Sequence, residues 1–303
     1  MGGGTGLATL LRGLKKLPID SLTAVVTVTD DGGSSGRLRQ EFGLPPPGDL
    51  RNCLVALGED EAFLTRLFNF RFPGDGPTGG HSLGNLLMVA LTHLTGDFPH
   101  AVRIAGEVLR IRGQVLPSTE ALVHLVAETA SGQRVVGETA ISMAGPPRKL
   151  ALSPSNPPAL PAALEAIRQA DLVVLGPGSL FTSIIPNLLV PGIAEAVGQR
   201  EGLTVYVANL VTQPGETTGF SLRDHVEALL DYAPAVKLHA VLANERPLPE
   251  EAASRYGEVG SEWVRPKAIP GVNIVFRDLL TVAEDGTVRH DSQRLAQALW
   301  ELF

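Results

Sequence analysis

The sequence predicts an α/β protein with a doubly wound, mainly parallel sheet. β-Branched runs recur without the polar alternation of a half-exposed strand, and amphipathic helical segments fall between them. Strands alternating with helices are the pattern of a parallel sheet covered on both faces. The first run spans residues 23–29 (TAVVTVT). Others follow at residues 171–175 (DLVVL), 203–208 (LTVYVA) and 236–242 (VKLHAVL), with a weaker one at 272–276 (VNIVF). Helical periodicity covers residues 7–17, 161–169, 187–199, 221–230 and 292–302.

The middle of the chain breaks this rhythm. Residues 49–112 read as a helical insertion, with apolar residues at helical spacing over 61–70, 82–94 and 99–109. Asp97 ahead of Pro99 is a helix start. Residues 121–143 read as a β-hairpin turning at 130–133 (ASGQ). The whole, residues 1–303, is expected to be one domain. The chain opens MGGGTGL, and a glycine turn feeding a helix normally follows a strand. None precedes Gly2, so the natural N-terminal strand is expected to be missing from this start.

Composition narrows the class. With 303 residues, 44% hydrophobic and 19% charged, the chain can bury a large core. A net charge of −7 argues against nucleic acid as a partner. The single cysteine, Cys53, excludes an intramolecular disulfide and a Cys-rich zinc site, and fits a reducing cytosol. The seven histidines form no H-E-x-x-H pattern. Residues 172–194 carry no charge, but Gly176, Pro177, Gly178, Pro186, Pro191 and Gly192 interrupt them. They read as a buried strand, a turn and a helix, not as a membrane span.

Several loops are candidates for chemistry. Gly3, Gly4, Thr5 and Gly6 open the first helix, where glycines admit a close ligand and free N–H groups attract anions. They match neither G-x-G-x-x-G nor a Walker A loop, and a glycine-rich cap without ligand is the alternative. Residues 30–39 (DDGGSSGRLR) follow the first run, where open α/β sheets take ligands. Arg37 or Arg39 suits a phosphate; Asp30 or Asp31 suits a ribose hydroxyl or a divalent ion. Asp49 reads as an N-cap, which sets Arg51 and Asn52 in the first turn of a helix.

Residues 80–84 (GHSLG) spell the G-x-S-x-G elbow, but a loop precedes them where the elbow needs a strand. Ser82 therefore reads as an N-cap, and His81 and Asn85 either face a ligand or hold structure. Gly178 and Ser179 follow the second run and form a second anion cradle. Residues 209–218 follow the third, so polar loops converge on one face. Tyr256 suits stacking on a base or covering the surface. Arg289 suits a phosphate or a surface ion pair. No nucleophile stands beside a general base, which favours binding over turnover.

The blocks GGGTGL, DDGGSSGRLR, PPPGDLRN, GHSLGN, GPGSLFTSIIPNLLVPGI, NLVTQPGET and VRHD, in this order, resemble the YvcK family of gluconeogenesis factors. These are described as UDP-N-acetylglucosamine-binding regulators and are similar in turn to the 2-phospho-L-lactate transferases. The resemblance spans nearly the whole chain. It implies a Rossmann-like three-layer α/β/α fold of CofD type and a cytoplasmic location. It also implies a UDP-sugar ligand with no required cofactor, and a role in cell shape and wall synthesis on gluconeogenic carbon. Implied partners are proteins of cell-wall synthesis or kinases, and a second copy in a homo-oligomer. The implied pocket uses residues 3–6, Asp31, Gly33, Ser34, Ser35, Arg37, Asn52, Asn85 and Ser179, with Tyr256 and Arg289 in its late segments. Members are phosphorylated just after Arg-His-Asp, where this chain has Ser292 and not Thr. The alternative is a transferase acting on a nucleotide-diphosphate-linked donor, with Mg²⁺ at Asp30 or Asp31.

Overall fold

A computed structural model describes residues 1–59 and 61–303. Along the chain, α1 (Gly4–Leu14) leads to β1 (Thr23–Val26) and α2 (Gly33–Phe42). A helical stretch follows: α3 (Gly48–Leu57), α4 (Glu61–Asn69), α5 (Leu83–Thr95) and α6 (Phe98–Val108). Then come β2 (Gln114–Pro117), β3 (His124–Glu128), β4 (Arg134–Val136), the short α7 (Glu138–Ile141) and β5 (Lys149–Ser153). The second half carries α8 (Pro161–Gln169), β6 (Leu172–Leu175), a π-helical turn (Leu180–Ile184), α9 (Ile185–Leu188), α10 (Ile193–Gln199) and β7 (Leu203–Val207). It continues with α11 (Leu222–Tyr232), β8 (Ala240–Asn244), α12 (Glu250–Glu258) and β9 (Ile274–Arg277). β10 (Leu280–Val282) and β11 (Val288–His290) form an antiparallel ribbon before α13 (Ser292–Trp300).

The expected parallel sheet is present. β1 pairs in parallel with β2, and β6, β7, β8 and β9 form a parallel sheet in that order. The first two residues join these parts. Gly2 N donates to Val25 O and Gly2 O accepts from Thr27 N (3.1 and 3.0 Å), a parallel bridge to β1. On the other side Met1 N donates to Val174 O (2.6 Å), and Gly176 N donates to Met1 O (2.8 Å). Met1–Gly2 thus stands where a strand would, between β1 and β6. The chain runs from this position outward to β1 and β2, then returns to its other side at β6. That reversal is the topological switch point of a doubly wound sheet, where such folds take their ligands.

Side chains explain the burial. Val25, Val26, Leu175, Val205, Val207, Val241 and Leu242 are each 2% exposed or less, as expected for strands covered on both faces. Leu7, Leu10 and Leu11 of α1 and Leu295 and Leu299 of α13 bury at helical spacing in the same core. Ser82 caps α5 by accepting from Asn85 N, and Asp97 caps α6 by accepting from His100 N, both as the sequence indicates.

Several elements depart from expectation. The expected hairpin within 121–143 is present as the antiparallel pair β3–β4, but after α7 the strand β5 adds to it, making a three-stranded sheet in the order β4-β3-β5. The helix of 187–199 is broken, because Gly192 adopts φ +87°, a left-handed geometry closed to most side chains. The strand of 236–242 begins later, at Ala240, since Val236 N closes a turn on Ala233 O. Asp49 is not the N-cap of α3; Pro47 takes that position, and the Asp49 carboxylate reaches across to α1. Among the described residues, no single helix is long and apolar enough to cross a membrane.

Candidate functional site

A cleft of about 370 Å³ opens at the switch point. One wall is the start of α1. Gly4 sits at φ +62°, which glycine accommodates without a Cβ clash, and N-cap Gly3 offers no side chain to satisfy the helix start. The Gly4 amide donates to Asp49. The Thr5 and Gly6 amides lie in the first turn, where no carbonyl of the helix can reach them, and both residues line the cleft. Opposite stands the loop after β6, with Pro177, Gly178 and Ser179 lining the same cleft. The loops nearly touch: a Cβ on Gly6 would fall 2.5 Å from Pro177 O, and one on Gly3 2.5 Å from Asp49 Oδ2.

The third strand-end loop braces the second. Asn209 Nδ2 donates to Gly178 O (3.0 Å), and Gln213 Nε2 donates to Ser179 Oγ (2.7 Å). Glu216 from this loop accepts from Phe181 N (2.8 Å) and Thr182 N (3.2 Å). It therefore satisfies the amides at the start of the π-helical turn internally, which leaves Gly178 and Ser179 as the part of this loop open to the cleft.

Carboxylates form the inner wall. Asp30, Asp49 and Glu138 all line the cleft. Burial, with the Asp30 charge next in importance, pushes the Asp49 carboxyl up to about 7. Burial also holds Glu138 well above the usual carboxylate range, and the charges of Asp49 and Asp30 act in the same direction. Glu216 is raised by burial as well, against the hydrogen bonds it accepts from Phe181 and Thr182. The outer rim belongs to the β10–β11 ribbon, which brings Val288, Arg289 and His290 to the cleft. Arg289 lies 3.6 Å from Asp285 with both side chains about half exposed, so its charge remains available to a ligand. Burial pushes the His290 imidazole down to about 4, so the ring is neutral at neutral pH.

Of the residues singled out from the sequence, Gly3, Gly4, Thr5, Gly6, Asp30, Gly178, Ser179 and Arg289 meet in this cleft. Asn209 and Gln213 of the 209–218 loop join them, whereas the remaining individually named residues serve the structure around the cleft. Asp31 accepts from Thr139 N (2.9 Å) and Thr139 Oγ1 (2.8 Å), pinning α7 and with it Glu138. Gly33, at φ +47°, is the first residue of α2. Ser34, Ser35 and Asn85 form a buried network: Ser34 Oγ meets His81 Nδ1 at 2.9 Å, and Asn85 Nδ2 donates to Ser34 Oγ at 3.1 Å. Arg37 is exposed and donates to Gly79 O (2.9 Å), holding the loop ahead of α5. Arg39 is buried and donates to Val123 O. Asn52 accepts from Arg51 (2.7 Å). Tyr256 packs with Leu210, Ala252, Leu280 and Val288, and its hydroxyl accepts from Val288 N (2.9 Å). It supports the ribbon that carries Arg289.

Sequence reasoning missed Asp49, Glu138 and His290 as cleft residues, and it placed the 209–218 loop at this face without singling out Asn209 or Gln213. A glycine-opened helix start facing a second glycine loop across a switch point defines an open α/β protein of the class that takes its ligand there. The comparisons give the particular family. A family model described as 2-phospho-L-lactate transferase CofD matches residues 1–280, and the chain belongs to that family. It is 44% identical to the gluconeogenesis factor of Halalkalibacterium halodurans, over 99% of this chain and 94% of the relative. It is equally 44% identical to the Bacillus subtilis gluconeogenesis factor, over 100% of this chain and 96% of the relative. A crystal structure of a Bacillus halodurans protein of the UPF0052 family aligns at TM-score 0.94 and 43% identity, covering 98% of this chain and 97% of the other.

Proposed function

We propose that this chain is a gluconeogenesis-factor type regulator that binds a UDP-sugar of the UDP-N-acetylglucosamine kind, coupling cytoplasmic nucleotide-sugar supply to cell shape and wall synthesis on gluconeogenic carbon. The observation that carries the reading is the pair of glycine loops. The Thr5 and Gly6 amides face Gly178 and Ser179 across the switch point, with Arg289 at the rim. Helix-start amides and an arginine are the donors that a diphosphate needs. The carboxylates argue less against an anion than their number suggests, because burial, which disfavours the charged form, raises Asp49 to about 7 and Glu138 well above the usual carboxylate range.

The seven-block resemblance to the gluconeogenesis factors and the relatives of that name at 44% identity support the regulatory branch. Thermal unfolding with a nucleotide panel tests it. Saturable stabilisation by UDP-sugars, growing with ligand concentration and far weaker with UMP, is the expected result. No shift with any uridine diphosphate ligand would reject it.

A second reading follows from the family model, whose description names a transferase. Metal-assisted transfer from a nucleotide-diphosphate donor would use Asp30, since Asp31 is committed to Thr139. Among the described residues, no group of three or more His, Cys, Asp or Glu is disposed to hold a metal ion. Mg²⁺-dependent turnover of a nucleotide-diphosphate donor would favour this second reading.

A further inference from the structure

Buried polar atoms in a folded protein are nearly all hydrogen-bonded, so each exception calls for a reason. Among the described residues the exceptions include Glu138 Oε2, Gln213 Oε1 and His290 Nε2. All of them line the switch-point cleft. Each is fixed by its other end. Glu138 starts α7, which Asp31 pins through Thr139. Gln213 donates its amide nitrogen to Ser179 Oγ (2.7 Å), which turns Oε1 away from that bond. The His290 ring donates to the Ala208 carbonyl, which leaves Nε2 as the nitrogen without a proton.

The side-chain N–H donors without partners, on Arg39, Arg51, Arg200 and Trp263, do not line the cleft. Among the described residues, this part of the cleft wall thus presents three buried acceptor atoms that no protein donor satisfies. No cluster of titratable side chains among the described residues is disposed to supply a cation instead. We infer that Glu138, Gln213 and His290 form the sugar-reading wall of the cleft, accepting hydrogen bonds from the hydroxyl groups of the ligand's hexose. This rests on the nucleotide-sugar reading above and adds to it the residues that set specificity. The glycine amides and Arg289 hold the diphosphate, which carries only acceptors. The acceptor wall takes the part of the ligand that carries donors. A site built to accept from hydroxyls discriminates steeply against analogues that lack them, because its buried acceptors are then left unpaired.

The test compares UDP-N-acetylglucosamine with UDP by calorimetry, in the full chain and in variants. His290→Asn keeps a donor for Ala208 O and removes the Nε2 acceptor. Gln213→Met keeps the length and removes the amide. Each is expected to reduce the preference for UDP-N-acetylglucosamine over UDP by roughly tenfold, as for one lost hydrogen bond. UDP-glucose analogues with one hydroxyl replaced by fluorine, titrated into the unaltered chain, make the same test without a folding question. At least one should bind about tenfold more weakly. If UDP and UDP-sugar lose affinity equally in the variants, the wall reads the nucleotide and the inference is wrong. Unchanged affinities in variants and analogues also overturn it, as does Mg²⁺ binding alone that the same variants abolish. If the unaltered chain binds neither UDP nor UDP-sugar, the nucleotide-sugar reading itself fails and takes this inference with it.

Discussion

Replacing Asp49 with Asn should make the protein's stability respond differently to pH. The Asp49 carboxyl accepts the Gly4 amide, yet burial and the Asp30 charge raise it from an ordinary 3.8 to about 7. The sign follows from linkage. Between those values the unfolded chain has released a proton that the folded chain retains, so rising pH favours unfolding. The penalty is absent below about pH 4 and complete above about pH 7. A rise of roughly three units at about 1.4 kcal/mol each comes to on the order of 4 kcal/mol. Asn keeps an acceptor for Gly4 N–H and never ionises. Urea unfolding of both proteins at intervals from pH 4 to pH 8 measures the difference directly. Asp49→Asn should gain on the parent as pH rises, by on the order of 4 kcal/mol across the range. Titrating groups remote from Asp49 cancel in the comparison, while Glu138, which the Asp49 charge helps to raise, shifts with it. Parallel stability curves would refute the reasoning, since they would mean that Asp49 ionises in the cleft as freely as in water.

Other substitutions separate structure from binding. Gly6→Ala places a methyl group 2.5 Å from Pro177 O, so the glycine loops must part; a loss of about 1–3 kcal/mol in unfolding free energy is expected, with weaker ligand binding. Asn85→Ala removes the donor to Ser34 Oγ inside a buried network, and should cost about 1–3 kcal/mol in urea unfolding. Arg37→Ala should leave UDP-sugar affinity within about twofold in calorimetry, because Arg37 holds Gly79 outside the cleft, whereas Arg289→Ala should weaken it by about 1.5–3 kcal/mol. His290→Asn should lose stability less steeply than the parent as pH falls below about 6.5. The folded imidazole resists protonation down to about 4 while the unfolded one does not.

The sheet was legible because its strands are buried on both faces and so read as unbroken β-branched runs. The caps Ser82 and Asp97 were legible because capping is local chemistry. Met1–Gly2 was not, since two residues carry no period and their pairing with Val25 and Val174 is entirely non-local. Arg37 and Asn85 illustrate the opposite limit. Their residue types suit a phosphate pocket, but tertiary packing assigns them to Gly79 and to the Ser34 hydroxyl. Glu138 sits on a four-residue helix in the inserted sheet, and only the fold brings it beside Asp30 and Asp49. Gln213 and His290 lie in the NLVTQPGET and VRHD blocks, but nothing in those blocks marks them out as cleft acceptors. Their signal is an unpaired acceptor in a shared cleft, which exists only in three dimensions.

Calorimetric titration of the chain with UDP-N-acetylglucosamine tests the central claim most directly, with UDP-glucose, GDP and UMP as comparators and Mg²⁺ present or absent. The account predicts saturable, uridine-selective binding that does not require Mg²⁺ and is stronger for the sugar-linked diphosphates than for UMP. Binding confined to GDP, or seen only with Mg²⁺ and accompanied by turnover, would contradict it.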